Sequence, residues 1–156
     1  MEKGDYAHAT HFLQSLLSAD PENAGAWADL ASLSDDLGEL EQATWLMERA
    51  FEIEPGNAGL RDRLRDLYKR RDGIDRPRLK LTPGALGRMY AMGGFHRRAI
   101  HELQRIPEDR PALPPLHTAY LEVALARSFC DAQGMDDMAE KVCQSLLEKL
   151  PNCLQA

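Results

Sequence analysis

The chain lacks the long apolar segments and the cysteine pairs that mark membrane and secreted proteins. No apolar run in its 156 residues approaches the roughly 18 needed to cross a bilayer, and its first residues form no apolar secretory signal. The cysteines, Cys130, Cys143 and Cys153, form no C-x-x-C pair and no even set, which is typical of free thiols in a reducing compartment. We therefore predict a cytoplasmic chain with no membrane span.

The sequence also lacks the patterns that carry catalysis or cofactor binding. It contains no nucleophile–base constellation and no glycine-rich phosphate loop, so we predict no enzyme activity and no cofactor. His8 and His11 stand three residues apart, but no third ligand follows at a defined spacing, and a metal site is not expected. Cys130 and Cys143 are interpreted as small buried apolar residues, because no basic residue is placed to stabilise a reactive thiolate.

What the sequence does contain is a short pattern that recurs: a glycine, an alanine five residues later and a proline twelve residues after that. Glycine suits a tight turn between helices because a positive φ costs it little. Alanine allows two helices to approach closely, and proline stands where a helix stops. Repetition of this unit predicts an all-α helical solenoid. The four copies are Gly4, Ala9 and Pro21; Gly38, Ala43 and Pro55; Gly94, Ala99 and Pro111; and Gly134, Ala139 and Pro151.

Residues 24–57 carry a more specific pattern, with an aromatic residue, small residues and a proline at fixed offsets. Its members are Trp27, Leu30, Gly38, Ala43, Ala50 and Pro55. The pattern resembles the tetratricopeptide repeat, a helix–turn–helix unit of about 34 residues. Ala31 and Ser34 replace the glycine and tyrosine that are usual there. The resemblance implies a right-handed α-solenoid that binds proteins and catalyses no reaction.

The same register divides residues 1–156, read as one domain, into units. We predict the second helix of a partial repeat over 4–21, a repeat over 24–57, a solitary helix plus extended linker over 58–81, a repeat over 82–113 and a repeat over 117–151. The linker interrupts the period because Pro77 disfavours helix at Arg76, so residues 74–81 are not expected to be helical. Thr82 is expected to cap the helix that follows.

The register also predicts which side chains are buried and which are left without a neighbour. The expected core residues are Trp27, Leu30, Ala43, Ala50, Leu86, Tyr90, Ala99, Ala126 and Ala139. Because the chain opens and ends inside a repeat, we expect a piece of a longer protein with apolar ends and end-to-end self-association. The uncovered side chains would be Tyr6, Leu13 and Leu17 at one end, and Val142, Leu146 and Leu150 at the other.

In the tetratricopeptide repeat, the first helix of each unit lines a concave groove. Carried onto this chain, that groove runs from acidic through mixed to apolar and suits an extended or helical peptide. The lysine and asparagine clamp that holds a C-terminal carboxylate in some members is absent, since Ala28, Ser32 and Arg63 occupy its positions. Ordinary solvated positions without a ligand remain the open alternative. The predicted partner-binding residues are Asp29, Ser32, Asp36, Asp62, Arg63, Asp66, Lys69, Arg70, Arg88, Met92, Leu121, Leu125 and Ser128.

Residues 61–80 reverse the acidic balance of a chain whose formal net charge is −6. They hold nine basic and four acidic side chains, which opens an alternative function in anion or RNA binding. Tyr68 is the one aromatic residue in the segment, so stacking of bases has little support. We favour a solvated helix face with internal ion pairs; an acidic protein partner stays open, and a nucleic-acid partner is not expected.

Overall fold

The computed structural model describes residues 3–75, 78–105 and 116–155, with residues 3–5 and 116–117 described by their backbone alone. All regular structure in these residues is α-helical, which confirms the predicted all-α class. The helices are α1 (Lys3–Ala19), α2 (Ala24–Asp36), α3 (Leu40–Ile53), α4 (Ala58–Asp72), α5 (Pro83–Met92), α6 (His96–Gln104), α7 (Leu116–Asp131) and α8 (Asp136–Lys149).

The helices group into two compact units. The first unit takes in residues 1–17 and 23–80, and within it α2 packs on α3 and α3 on α4. The second unit takes in residues 18–22 and 81–156, and within it α5 packs on α6, α6 on α7 and α7 on α8. The division of the chain into individual repeats stays a prediction.

Side-chain caps begin three of the helices. Asn23 accepts a hydrogen bond from the backbone N–H of Ala26 at 2.9 Å at the start of α2. Asn57 does the same for the N–H of Gly59 at 3.0 Å at the start of α4. Thr82 accepts from the N–H of Ala85 at 3.2 Å, as expected, and Pro83 follows it in the first turn of α5. These caps satisfy backbone donors that have no partner inside the helix.

A glycine stands in the turn that follows each of α2, α4, α5 and α7. Gly38, Gly73, Gly94 and Gly134 all have a positive φ, between 70° and 80°. Only glycine adopts this conformation at little cost, so the predicted turns are confirmed at Gly38, Gly94 and Gly134, and Gly73 makes the same turn after α4. Gly4 does not follow them, because α1 already begins at Lys3 and Gly4 lies inside a helix.

The core of the first unit lies between α2 and α3. Trp27 is fully buried and meets Trp45 edge-on, with ring centroids 6.3 Å apart. Ala43 and Ala50 have no exposed surface, so α3 turns its small residues inward as the register requires. The buried apolar residues of α4 are Leu60, Leu64 and Leu67.

Replacing Ala43 by leucine should test this close crossing. The larger side chain has no room at a position with 0% exposure, and we expect a loss of about 1–3 kcal/mol of unfolding free energy. Urea denaturation followed by circular dichroism measures it. Glu41→Leu, at an exposed position of the same helix, is the control and should change stability by less than about 0.5 kcal/mol. Equal stability of the two variants would mean that the repeat register is wrong.

Gly87 sets the approach of α5 to α6 in the second unit. A Cβ atom at this position would lie 2.7 Å from Cγ of Leu103 and 3.3 Å from the carbonyl oxygen of Ala99. No real Cβ makes a contact as short as the first, so the crossing requires glycine. The rest of the unit is held by two apolar clusters, one with Ile100, Phe129, Ala132 and Ala139 and one with Ala119, Val123, Leu146 and Cys153.

The predicted core is confirmed except on α5. The buried members are Trp27, Leu30, Ala43, Ala50, Ala99, Ala126 and Ala139. Leu86 and Tyr90 are only half-buried, and for them the prediction is wrong. Tyr90 packs edge-on against Phe95 at the tip of the hairpin, with ring centroids 6.4 Å apart. This placement covers the ring while it leaves part of the side chain near water, which suits tyrosine.

The segment between α4 and α5 is not helical at residues 74–75 and 78–81, which confirms the prediction for them. α4 ends at Asp72, where Gly73 takes a φ of 70°. Arg76 and Pro77, the residues that motivated the prediction, lie outside the part of the chain that the structure describes.

The predicted uncovered ends are wrong at two positions. Leu17 and Leu146 have no exposed surface. Leu146 lies in an apolar cluster with Cys153, which belongs to the turn that follows α8. The next residue, Leu154, donates its backbone N–H to the carbonyl of Ala19 at 2.9 Å. A short turn therefore covers this position without a further helix, while self-association stays a prediction.

Candidate functional site

A cleft of about 320 Å³ opens between α2 and α4 in the first unit. Its rim is polar and includes three carboxylates, and its floor is formed by buried apolar side chains. The rim residues are Ser32, Asp35, Asp62, Arg63 and Asp66, and the floor residues are Ala31, Met47 and Leu67. A peptide-sized hollow with an apolar floor and a charged rim can hold one apolar side chain and orient its neighbours.

The structure brings together four of the predicted partner-binding residues at this cleft: Ser32, Asp62, Arg63 and Asp66. Three others, Asp29, Asp36 and Lys69, are exposed on α2 or α4 but do not line it. The apolar floor was not part of the predicted set. Burial of these side chains follows from the packing of α3 against α2 and α4, which helical periodicity signals only in part.

Arg63 reaches across the cleft from α4 to α2. Its Nη2 donates to Oγ of Ser32 at 2.7 Å, and that hydroxyl donates to the carbonyl of Ala28 at 2.9 Å. Arg63 and Ser32 thus form a short hydrogen-bonded chain from α4 to the backbone of α2.

Arg70 makes a second link across the cleft. Its Nη1 and Nη2 donate to the two carboxylate oxygens of Asp35 at 2.7 and 2.6 Å. The hydrogen bond from Arg70 lowers the pKa of Asp35; partial burial opposes this, and the charges of Arg70 and Arg63 add to it. The same hydrogen bond raises the pKa of Arg70. Because much of the pair is exposed to solvent, it contributes little to stability.

Most arginines of the basic segment 61–80 are engaged in internal ion pairs. Arg61 meets Asp62 at 3.2 Å, and Arg65 meets Asp75 at 3.1 Å. A third arginine, Arg71, pairs with Asp72 at 2.7 Å and lies over the ring of Tyr68 at 5.0 Å. The interpretation of this segment as a solvated face with internal pairs is confirmed for these residues.

The second unit does not present its predicted groove residues as one open surface. Leu121 and Ser128 lie on α7, which packs between α6 and α8, and both are buried. Oγ of Ser128 donates to the carbonyl of Ala124 at 2.8 Å. Leu125 is partly buried against an apolar cluster, whereas Met92 is 80% exposed. The predicted apolar end of the groove is thus covered by neighbouring helices at Leu121 and Ser128.

Arg88, also predicted to line the groove, is bound to a carboxylate. Glu22 accepts from Arg88 of α5 and, at 2.9 Å, from Arg127 of α7. The side chains of Glu22 and Arg88 are only 8% and 12% exposed. No local pattern signals this contact, because Glu22 and Arg88 stand 66 positions apart in the sequence.

The prediction that Cys130 and Cys143 are buried is wrong for Cys130 and only partly met by Cys143. Cys130 is exposed and Cys143 is half-buried, while Cys153 is buried. Burial, and then the neighbouring Cys130 and Cys153, raise the pKa of the Cys143 thiol. A raised pKa keeps this thiol protonated at neutral pH, which is the opposite of what a reactive cysteine requires.

Neither a cluster of metal-ligand side chains nor a membrane-spanning helix occurs in the part of the chain that the structure describes. His8 and His11 are exposed, and no group of three or more histidine, cysteine or acidic side chains there is arranged to hold a metal ion. None of the helices in the described ranges is long and apolar enough to cross a membrane.

Within each unit, helices that follow one another in the chain pack together and are joined by turns with a glycine at positive φ, which is the arrangement of helical-repeat proteins. Residues 1–58 match the sequence model of the family described as Tetratricopeptide repeat. The match over these residues supports a tetratricopeptide repeat protein, a family whose members form solenoids of helical repeats. Members of this family generally mediate protein–protein interactions and are typically not catalytic. None of the curated proteins matches the chain.

Proposed function

We propose that this chain is a protein-interaction module that binds a peptide segment in the cleft between α2 and α4. The observation that carries the proposal is the apolar floor beneath a charged rim, in a hollow of about 320 Å³. This volume accommodates a single large side chain with its flanking backbone. The role is one of binding, without a reaction.

The rim favours a peptide with basic residues beside its apolar side chain. Three carboxylates line the cleft, from Asp35, Asp62 and Asp66, against the single lining guanidinium of Arg63. Asp35 is held by Arg70, which also lies 3.6 Å from Asp66, so part of the negative charge is already balanced. Asp62 meets Arg61 at 3.2 Å, so a basic peptide would exchange these exposed internal pairs for its own lysine or arginine, and salt weakens the attraction.

The test is a titration of the isotopically labelled chain with capped tripeptides, followed by amide chemical shifts. We expect acetyl-Lys-Leu-Lys-amide to bind more tightly than acetyl-Glu-Leu-Glu-amide and to shift the amides of Ser32, Asp62 and Asp66. The double variant Asp62→Asn, Asp66→Asn should weaken the basic peptide about fivefold, since two exposed charge pairs contribute about 0.5 kcal/mol each.

The matched control removes two carboxylates of α2 that do not line the cleft. Asp29→Asn with Asp36→Asn changes the net charge equally, and both positions are exposed. We expect this variant to bind the basic peptide within about twofold of the parent. If both double variants lose the same affinity for the basic peptide, the effect comes from net charge and not from the cleft. Equal binding of the basic and the acidic peptide would refute the proposed selectivity.

Binding of anions or RNA through residues 61–80 gains no comparable support. Arg61, Arg65, Arg70 and Arg71 are each paired with a carboxylate. A phosphate would have to displace these partners, and the segment offers only Tyr68 for stacking. We therefore propose peptide binding alone.

A further inference from the structure

The tip of the α5–α6 hairpin, in the second unit, exposes three large apolar side chains within seven residues. Met92 is 80% exposed, Phe95 56% and Met89 47%. Scattered exposed apolar residues are normal on any protein, but a group of this kind marks an interaction surface. Methionine side chains also adapt to differently shaped partners.

The phenylalanine at this tip is held in place. Its ring meets that of Tyr90 edge-on, with centroids 6.4 Å apart, and the guanidinium of Arg98 lies 5.7 Å from its centroid. It also rests on the backbone, because a Cβ atom at Gly93 would lie 3.2 Å from the ring. Phe95 is thus an ordered side chain with more than half of its surface exposed. A partner that packs on it would cost the ring little conformational entropy.

The surface beside this side chain is positively charged. A hollow of about 420 Å³ is lined by Phe95, His96, Arg97 and Arg98 together with the turn after α7. No ion pair joins Arg97 or Arg98 to a carboxylate among residues 3–75, 78–105 and 116–155. Oδ2 of Asp131 lies 3.8 Å from Nδ1 of His96.

The first turn of α6 adds to this positive potential. Phe95 occupies the N-cap position and makes no side-chain cap. Backbone N–H groups at a helix start carry partial positive charge. Arg97 and Arg98 stand in the same turn, and Asp131 faces His96.

From this arrangement we infer that the hairpin-tip surface, defined as Met89, Met92, Phe95, Arg97 and Arg98, docks an acidic peptide that carries a large apolar side chain. The apolar side chain packs on Phe95 and the methionines, and flanking carboxylates pair with the two arginines. Charge complementarity selects this partner, because Arg97 and Arg98 stand together beside the apolar anchor on a chain whose net charge is −6. The partner is the opposite in charge to the one proposed for the α2–α4 cleft.

Fluorescence anisotropy with the full chain tests the inference. The probe is the labelled, capped peptide Glu-Glu-Phe-Leu-Glu-Glu. One control peptide replaces its glutamates by glutamine, and the other replaces Phe-Leu by Ala-Ala. We expect the probe to bind at least about fivefold more tightly than either control and to lose affinity as salt is added.

Variants of the chain locate the binding. Phe95→Ala should weaken the probe about tenfold and Arg97→Gln about threefold to fivefold, as expected for an anchor and a charged neighbour. Arg105→Gln, near the other end of the hairpin and paired with Glu102 at 3.7 Å, should stay within about twofold. Arg97 is exposed, so its variant keeps the test informative if Phe95→Ala fails to fold.

Each alternative outcome would overturn the inference. Equal affinity for the glutamine peptide would remove the charge selection, and unchanged affinity in both variants would place the binding elsewhere. Light scattering that shows a dimer lost in Phe95→Ala would assign the surface to a second copy of the chain. Binding to phosphatidylserine vesicles in place of the peptide would assign it to a membrane.

Discussion

Replacing Glu52 by alanine is expected to destabilise the protein by about 3–5 kcal/mol. Arg49 and Glu52 stand one turn apart on α3, and each is only 1% exposed. Nη2 of Arg49 lies 3.1 Å from Oε1 of Glu52, and its guanidinium carbon lies 5.0 Å from the centroid of Trp45. Removal of the carboxylate would leave a charged guanidinium in a region of low dielectric, where it cannot be hydrated. Urea unfolding measured by circular dichroism gives the loss.

Two control variants show whether the loss of stability in Glu52→Ala comes from the lost charge or from the lost side-chain volume. Glu41→Ala, at an exposed position of the same helix, should cost less than about 0.5 kcal/mol. The double variant Arg49→Met, Glu52→Leu removes both charges at similar volume and should be near neutral or stabilising. If the double variant is as unstable as Glu52→Ala, packing governs the site and the charge argument fails. A loss well below about 1 kcal/mol in Glu52→Ala would mean that Glu48, 3.5 Å from the same nitrogen, is a sufficient partner.

The second large effect is expected at Glu22. Its replacement by alanine should cost about 3 kcal/mol, because Arg88 is nearly buried and would lose its carboxylate partner. Arg88 belongs to α5 and Arg127 to α7, so the same carboxylate ties two helices of the second unit. Thermal unfolding of the variant, compared with the parent at fixed ionic strength, gives the size of the effect.

Variants of Arg88 and Arg127 compare the stabilities that the buried and the exposed ion pair of Glu22 contribute. The side chain of Arg127 is 57% exposed, so Arg127→Ala should cost at most about 1 kcal/mol. Arg88→Ala should cost less than Glu22→Ala, because Arg127 still pairs with Glu22 after Arg88 is removed. Similar losses for Arg127→Ala and Glu22→Ala would show that the exposed pair, and not the buried one, holds the site together.

Short sequence patterns were enough to predict the features of the structure that depend on a few neighbouring residues. A positive φ at Gly38, Gly94 and Gly134 follows from the glycine that begins each copy of the repeated pattern. Thr82 before Pro83 marks the start of α5, since a hydroxyl cap and a first-turn proline act on backbone groups within one turn. Burial of Ala43 and Ala99 follows from the same spacing. The all-α class was predictable on these grounds.

The candidate site was predictable only as a set of positions. Spacing within the repeat placed Ser32 on one helix and Arg63 on another, and the structure brings them within 2.7 Å. Nothing in the spacing indicated that Arg70 would bind Asp35, because the two are 35 positions apart and meet only after the helices have packed. The apolar floor of the cleft likewise forms only when α2, α3 and α4 pack together.

Tertiary packing alone decided which polar positions remain available to a partner. Ser128 and Arg88 both fit the predicted groove pattern, yet one is buried on α7 and the other is bound to Glu22. Cys130 shows the reverse, since it stands at an expected core position and is exposed. The sequence determines turns, caps and helical faces because these depend on interactions within a few residues. The pairing of charges and the covering of faces depend on which helices meet, and that is a property of the whole packed chain.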